Sequence, residues 1–168
     1  MSDVATTQSV WMGIRYYAYP VAAEDIERAR LDPWLYLSDD PLSDAWGPAE
    51  LRPRMLYLDK CWRALQHLLG PREDRPARPS FALVEGQVTF AGNGGWYSWL
   101  RVIDPEQLTE IARDIVLVDE DDVRELFPAQ PGEMQRDTVD YVAPYLADAQ
   151  RFVTELAREG KGLVYTIG

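Results

Sequence analysis

The sequence has very little of the chemistry on which many catalytic and metal sites depend. Among its 168 residues there is one cysteine, Cys61, and one histidine, His67. A single cysteine forms no internal disulfide, and the pair supplies neither a zinc cluster nor a Cys-His couple on one helix face. We expect Cys61 to be a core thiol and His67 to lie on the surface. These scarcities favour a non-catalytic protein with no cofactor and no metal.

Long hydrophobic runs are absent as well. No segment approaches the roughly 18 consecutive apolar residues that a membrane-spanning helix needs. Residues 1–8 have neither the basic nor the apolar region of a secretory signal. We therefore expect a cytoplasmic protein that has no membrane partner.

Basic residues are fewer than acidic ones. Lysine and arginine number 17 against 28 aspartates and glutamates, so the formal net charge is −11. Such a field repels phosphate backbones, and nucleic acid is therefore not expected as a partner. The same field would steer a basic protein towards the molecule, although a high net charge also simply favours solubility. Composition leaves both interpretations open.

Aromatic residues, by contrast, are plentiful, with six Trp, nine Tyr and four Phe. Residues 31–54 are rich in proline and glycine and also carry Trp34, Tyr36 and Trp46. A loop of this length with large apolar side chains is either a lid or partner-binding segment, or a loop packed over the core. Trp34 and Trp46 are therefore candidate partner-binding residues.

Hydrophobic periodicity predicts a small sheet packed by helices. Strands are predicted over 10–19, 96–103 and 163–167, and helices over 22–30, 59–69, 104–115, 119–127 and 138–159. Pro20 would end the first strand, since proline lacks the N–H that a ladder needs. Residues 80–90 fit either a hairpin or a short helix, and 91–95 predict a turn.

These elements indicate one α/β (α+β) domain over residues 12–168, preceded by a polar tail at 1–11. We expect a small mixed sheet that includes the N- and C-terminal strands, packed by four or five helices. The acids at 119–122 resemble a metal cluster. They stand, however, where a helix dipole favours negative charge, and neighbouring carboxylates on one turn diverge too far to chelate one ion easily. Asp119 and Asp104 are therefore predicted to cap helices.

Four stretches, in order along the chain, carry a family resemblance. They are Met12-Gly13-Ile14, Leu58-Asp59-Lys60-Cys61-Trp62 with its leucine-rich continuation to Gly70, Arg101-Val102-Ile103-Asp104-Pro105-Glu106, and the last helix with its glycine break and apolar strand. This arrangement resembles the YfbM-like family of uncharacterised bacterial proteins. The resemblance implies an α/β fold but no activity. Arg63 and Gln66 stand where many members carry histidines, so no role of those histidines is transferred.

Asp59, Lys60 and Arg101 are the strongest candidates for ligand binding. Asp59 and Lys60 begin a predicted helix, whose N-terminus favours anions, and Arg101 lies near the end of a strand that leads into the next helix. If the sheet brings them together, with Trp62 and Tyr97 beside them, they would bind a carboxylate or a phosphate. Structurally, Asp59 would only cap its helix and Arg101 would pair with a carboxylate.

Two functional hypotheses follow from these patterns. The first is a non-catalytic, acidic protein-binding module for a basic protein, of the immunity or antitoxin kind. The second is a small-molecule-binding or hydrolytic enzyme with an anion-binding pocket near Asp59 and Arg101. Under either hypothesis we expect a monomer or a small homo-oligomer.

Overall fold

A computed structural model describes residues 13–128 and 138–168. The predicted tail at 1–11 and the first residues of the predicted strand at 10–12 lie outside them. The strands are β1 Tyr16–Val21, β2 Leu56–Asp59, β3 Thr89–Phe90, β4 Trp96–Tyr97, β5 Trp99–Ile103 and β6 Gly162–Ile167. The α-helices are α1 Ile26–Leu31, α2 Pro41–Trp46, α3 Trp62–Leu69, α4 Pro105–Ile115, α5 Glu120–Leu126 and α6 Val139–Arg158.

Four strands form the main sheet in the order β2–β1–β6–β5. The predicted fold class, with both terminal strands in one small sheet, is confirmed. The sheet is antiparallel throughout rather than mixed. Both helical connections between neighbouring strands, β1 to β2 and β5 to β6, return the chain in the opposite direction, so no parallel pair arises.

The sheet is covered on both faces, and this explains why every residue of β6 is buried. Alternate side chains of β1 point to opposite faces. Tyr16 belongs to the larger core, which α3, α4 and α6 complete, and its ring stacks on Tyr165 with centroids 5.1 Å apart. Tyr17 and Tyr19 belong to a smaller core that includes Ile26 and Ala45, from α1 and α2.

The first strand begins later and runs further than predicted. β1 starts at Tyr16, and Pro20 lies inside it, paired with Leu163 of β6. β2 pairs only with residues 16–18 of β1, so β1 has a single partner strand at Pro20. Because one side of the ladder is open there, the missing N–H of proline is tolerated.

The helix predicted from Asp59 instead begins at Trp62. Residues 56–59 pair with β1 as a strand, and Cys61 holds the N-cap position without a side-chain hydrogen bond. The prediction that Asp59 caps this helix is therefore wrong. The predicted end is correct, since Gly70 is the C-cap.

Segment 31–54 is more regular than the predicted loop. It contains 3-10 turns at Pro33–Tyr36 and Ala49–Leu51 and the helix α2, which Asp40 caps through the Ser43 N–H at 3.1 Å. Residues 80–90 were expected to form either a hairpin or a short helix. Their first part is helical, since a 3-10 helix spans Pro79–Leu83. Residues 91–95 connect β3 to β4, and the strand predicted over 96–103 is divided into β4 and β5.

The predicted caps of two helices are confirmed. Asp104 accepts from the Gln107 N–H at 2.9 Å. Asp119 and Asp122 form a reciprocal capping box, each side chain accepting the other's backbone N–H at 2.9 Å. Among the helices that the structure describes, none is both long enough and apolar enough to cross a lipid bilayer.

Candidate functional site

The carboxylate of Asp59 is the centre of a polar cluster at the end of β2. Asp59 has a φ of 48°, and it is the only non-glycine residue with positive φ among residues 13–128 and 138–168. The pairing of β1 with β2 is irregular at this point, because Tyr16 faces Asp59 while Tyr17 faces Tyr57, which leaves Leu58 unpaired. Such a bulge re-aims a side chain, and a left-handed backbone persists where the surroundings fix it, often at binding sites.

Three side chains from three elements or segments hold this carboxylate. Arg15, just before β1, donates from Nε to Oδ1 at 3.1 Å, and the Tyr57 hydroxyl donates to the same oxygen at 3.0 Å. Tyr141 of α6 donates to Oδ2 at 3.4 Å. The Asp59 and Arg15 side chains are only 24% and 17% exposed. The Asp59 carboxylate is therefore held in one orientation by its neighbours.

Trp46 extends the cluster to α2 and to the surface. Its indole Nε1 donates to the Tyr57 hydroxyl at 3.2 Å, and its ring lies over the Arg15 guanidinium at 5.6 Å. Tyr17 stacks on Tyr57 with centroids 5.5 Å apart. A partner touching Trp46 would therefore contact the same network that fixes Asp59.

The phenols around Asp59 remain protonated, hence neutral. Burial raises the pKa of Tyr145 to about 12, and the charge of Asp59 adds to the shift. Burial, followed by Asp59, also raises the pKa of Tyr141 well above its usual range. Burial raises the pKa of Tyr57 as well. These hydroxyls can therefore donate hydrogen bonds over the whole physiological range of pH.

A cleft of about 610 Å³ opens beside this cluster, between the chain preceding Asp59 and helix α6. Its volume lies within the roughly 300–1,000 Å³ of small-molecule sites. Its walls carry three arginines, three acids and three tyrosines among apolar residues. The lining residues are Arg52, Pro53, Arg54, Met55, Leu56, Tyr57, Asp140, Tyr141, Pro144, Tyr145, Asp148, Arg151, Phe152 and Glu155.

The arginines of the cleft are already engaged. Arg54 forms two hydrogen bonds of 2.7 Å with Glu159 and lies 3.6 Å from Glu155. Arg151 pairs with Asp148 at 2.7 Å. Arg52 donates to the Ala45 carbonyl. The tyrosines lie at the other end of the cleft, next to Asp59.

The structure does not bring Asp59 and Arg101 together. They lie on β2 and β5, the opposite edges of the sheet, with β1 and β6 between them. Arg101 pairs with Glu85 at 2.7 Å, as in the structural interpretation of this residue. The anion pocket that both residues were expected to form is therefore absent from the described part of the chain. Lys60 is half-buried in the turn after β2.

The four predicted aromatic residues have different environments. Trp62 is a core residue, 2% exposed, and donates to the Ile14 carbonyl at 3.4 Å. Tyr97 is exposed on the small hairpin, away from Asp59. Trp34 and Trp46 are both exposed in segment 31–54. Cys61 is buried and His67 is exposed, as expected.

Sequence reasoning missed Arg15, Tyr57, Tyr141 and Tyr145. Arg15 did carry a signal, since it is the single charge in an apolar and aromatic run. Tyr141 and Tyr145 are separated by four residues and so share one face of α6. Nothing local in the sequence indicates that this face meets β2.

The comparisons with known proteins give a family but no activity. The crystal structure of YfbM from Escherichia coli, a protein of unknown function, superposes with a TM-score of 0.54 at 16% sequence identity. The match covers 92% of this chain and 99% of that chain, and it shows a common fold. No curated protein matches. The sequence model of a domain of unknown function, DUF1877, matches residues 12–166. The chain therefore belongs to the DUF1877 family, in agreement with the YfbM-like resemblance of its motifs.

Proposed function

We propose that the protein is a non-catalytic binding module for a basic protein, and that residues 31–51 form its interaction surface. The observation that carries the proposal is the concentration of exposed apolar side chains in this segment. Of the ten large hydrophobic residues exposed in the described part of the chain, five lie here, each at least 56% exposed. They are Leu31, Trp34, Leu35, Trp46 and Leu51.

Exposed apolar side chains in such numbers mark interaction sites, because water-exposed apolar surface is otherwise minimised. Tryptophan is also among the residues enriched at the energetic centres of protein interfaces. The 31–51 surface is held in place by the secondary structure beneath it. Tyr19 donates to Asp44 of α2 at 3.0 Å, and Arg52 donates to the Ala45 carbonyl, so α2 is fixed to the sheet.

The charge of this surface selects the class of partner. Residues 24–50 contain eight acids and only two arginines, Arg28 and Arg30, so more than half of the net charge of −11 lies in this part of the chain. Acids around apolar anchors give a polar rim complementary to a basic surface, and this raises the association rate and disfavours acidic partners. A basic protein is therefore the partner that fits.

The test is a pull-down with the tagged full chain from the lysate of its source organism, at low and at high salt, with three baits. These are the wild type, the double variant Trp34→Ala/Leu35→Ala, and the matched control Val116→Ala/Leu117→Ala. The control removes two equally exposed apolar side chains outside the surface. Bound proteins are identified and quantified by mass spectrometry.

We expect one stoichiometric basic protein on the wild type and the control, lost from the double variant and weakened by salt. With the purified pair, the double variant should raise Kd by at least about 30-fold, the effect of removing a 2 kcal/mol anchor. Equal retention by all three baits, or a partner without excess positive charge, would contradict the proposal.

A further inference from the structure

We infer that the tyrosine end of the cleft is a binding site for an organic cation, a primary ammonium or guanidinium group, held against Tyr57, Tyr141 and Tyr145. This site lies on the α6 side of the molecule and adjoins the 31–51 surface through Trp46, which donates to Tyr57. The inference does not depend on the proposed function. It also reverses the sequence-based expectation for Asp59, which was an anion site.

The tyrosine end of the cleft has an aromatic lining. Three tyrosines converge on one end of the cleft, and the rings of Tyr141 and Tyr145 meet edge-on with centroids 5.2 Å apart. The face of an aromatic ring carries negative potential and attracts ammonium and guanidinium groups. The Asp59 carboxylate, which two of these hydroxyls and Arg15 hold in place, lies behind them.

Carboxylates surround these rings. Asp140 and Asp148 lie on the same wall of the cleft as Tyr141 and Tyr145. Burial raises the pKa of Tyr145 and the charges of Asp59 and Asp148 add to the shift, in line with carboxylates near its hydroxyl. These carboxylates favour a cation at this end.

The state of the arginines disfavours an anion. Arg54 is already bound to Glu159 and Glu155, Arg151 to Asp148 and Arg52 to a carbonyl. An incoming carboxylate or phosphate would compete with these acceptors for the guanidinium groups, inside a protein whose net charge is −11. The cleft extends along α6 from Asp140 to Glu155, a length of roughly 22 Å. An extended aliphatic cation therefore fits better than a compact one.

The test is isothermal titration calorimetry of the full chain with agmatine and with putrescine. The neutral 1,4-butanediol and the anionic glutarate serve as probes of similar length and different charge. We expect saturable binding of the two cations only. Binding of butanediol or glutarate with equal affinity, or no saturable binding of either cation, would overturn the inference.

Variants locate the site. Tyr145→Leu removes the ring and should weaken cation binding about tenfold, whereas Tyr145→Phe should change it less than about twofold, because the ring supplies the attraction. Asp148→Asn, a surface change that leaves the fold in place, should weaken binding about threefold or more. Tyr97→Leu on the distant hairpin is the control. If Tyr145→Leu and Asp148→Asn, both verified as folded by circular dichroism, bind like the wild type, the site is not here.

A second titration distinguishes the two sources of such a cation. Blocked tripeptides with a central Lys or Arg are compared with the same peptide carrying norleucine. Tighter binding of the Lys or Arg peptide than of agmatine would assign the site to a side chain of a partner protein. The reverse order would assign it to a free amine. Under either assignment, the norleucine peptide should bind at least about tenfold more weakly than the Lys or Arg peptide.

Discussion

Asp59 combines a backbone conformation that most residues avoid with a carboxylate that three side chains hold. Asparagine tolerates the left-handed conformation and keeps part of the hydrogen bonding. Alanine does not tolerate this conformation and keeps none of the hydrogen bonds. We expect Asp59→Ala to lower the free energy of unfolding by about 2–4 kcal/mol and Asp59→Asn by about 1–2 kcal/mol. Urea denaturation at pH 7 measures both, and equal losses would show that the lost charge, which the two variants share, outweighs the conformation and the hydrogen bonds.

The same residue shows how far single positions can be predicted from the sequence. An aspartate in front of an amphipathic pattern is typical of an N-cap, and that interpretation was wrong because residues 56–59 pair with a strand forty residues away. Arg15 was visible as an isolated charge, but its partner Asp59 is 44 positions further along. Contacts of this range depend on the tertiary fold and leave no local pattern.

At the scale of elements, α5 permits a clean test of capping. Asp119 and Asp122 exchange hydrogen bonds with each other's backbone, while Asp121 only pairs with Arg124 on an exposed surface. We expect Asp119→Ala to lower the free energy of unfolding by about 1 kcal/mol and Asp121→Ala by less than about 0.5 kcal/mol. Thermal denaturation of the two variants measures the difference. A larger effect of Asp121→Ala would assign the stability to surface charge pairs.

The 3-10 helix at Pro79–Leu83 is joined to α4 by a partly buried cluster around Asp114. Ser80 donates to its carboxylate from both the hydroxyl and the backbone, and Arg78 adds a hydrogen bond of 2.8 Å. Burial alone would raise the pKa of Asp114, but these donors outweigh it and lower the pKa. The cluster therefore stabilises the protein above the usual pKa of an aspartate, and this contribution is lost as the pH falls through the lowered value.

Ser80→Ala removes the hydroxyl donor of this cluster and leaves the backbone donor. We expect it to lower the free energy of unfolding at pH 7 by about 1–2 kcal/mol and to raise the pKa of Asp114. Denaturation at pH 7 and at a series of lower pH values separates the two effects, since the difference from wild type should shrink once the pH falls through the lowered pKa of Asp114. An unchanged difference across the whole series would mean that the serine acts only through packing.

Elements were predictable where local chemistry defines them. The capped helices α4 and α5 and the long helix α6 follow from periodicity and N-cap residues, and the structure shows all three near their predicted positions. The strands were predicted less well, because their limits depend on partners. β1 extends past Pro20 since only β6 pairs with it there, and the predicted strand over 96–103 is divided between two sheets.

For the whole molecule, the class and the placement of the terminal strands could be predicted, since apolar runs near both ends of the chain need the same core. The cleft could not be predicted, because it is formed by the chain preceding Asp59 and by α6, which lie about eighty residues apart. The exposed tryptophans could be predicted in part. Trp34 and Trp46 were visible as candidates, and only the fold distinguishes them from the buried Trp62.

The tyrosines of the two cores make the stability of the whole molecule sensitive to alkaline pH. Burial raises the pKa of Tyr17, Tyr145 and Tyr165 to about 12 and also raises that of Tyr16 well above its usual range. Between pH 10, the ordinary value of tyrosine, and pH 12 the unfolded chain therefore loses protons that the folded chain retains. Because fewer protons are bound to the unfolded state, the free energy of unfolding must fall over this interval. Below pH 9 these groups do not make the free energy of unfolding depend on pH.

We therefore expect urea midpoints that are constant from pH 8 to 9 and fall steadily from pH 10 to 11.5. Absorbance at 295 nm of the folded protein should show phenolates that appear only together with unfolding. Tyr145→Phe removes one of the retained protons but leaves its ring, so its midpoint should fall less steeply than that of the wild type over the same interval. A variant slope equal to that of the wild type would place Tyr145 in ordinary contact with water.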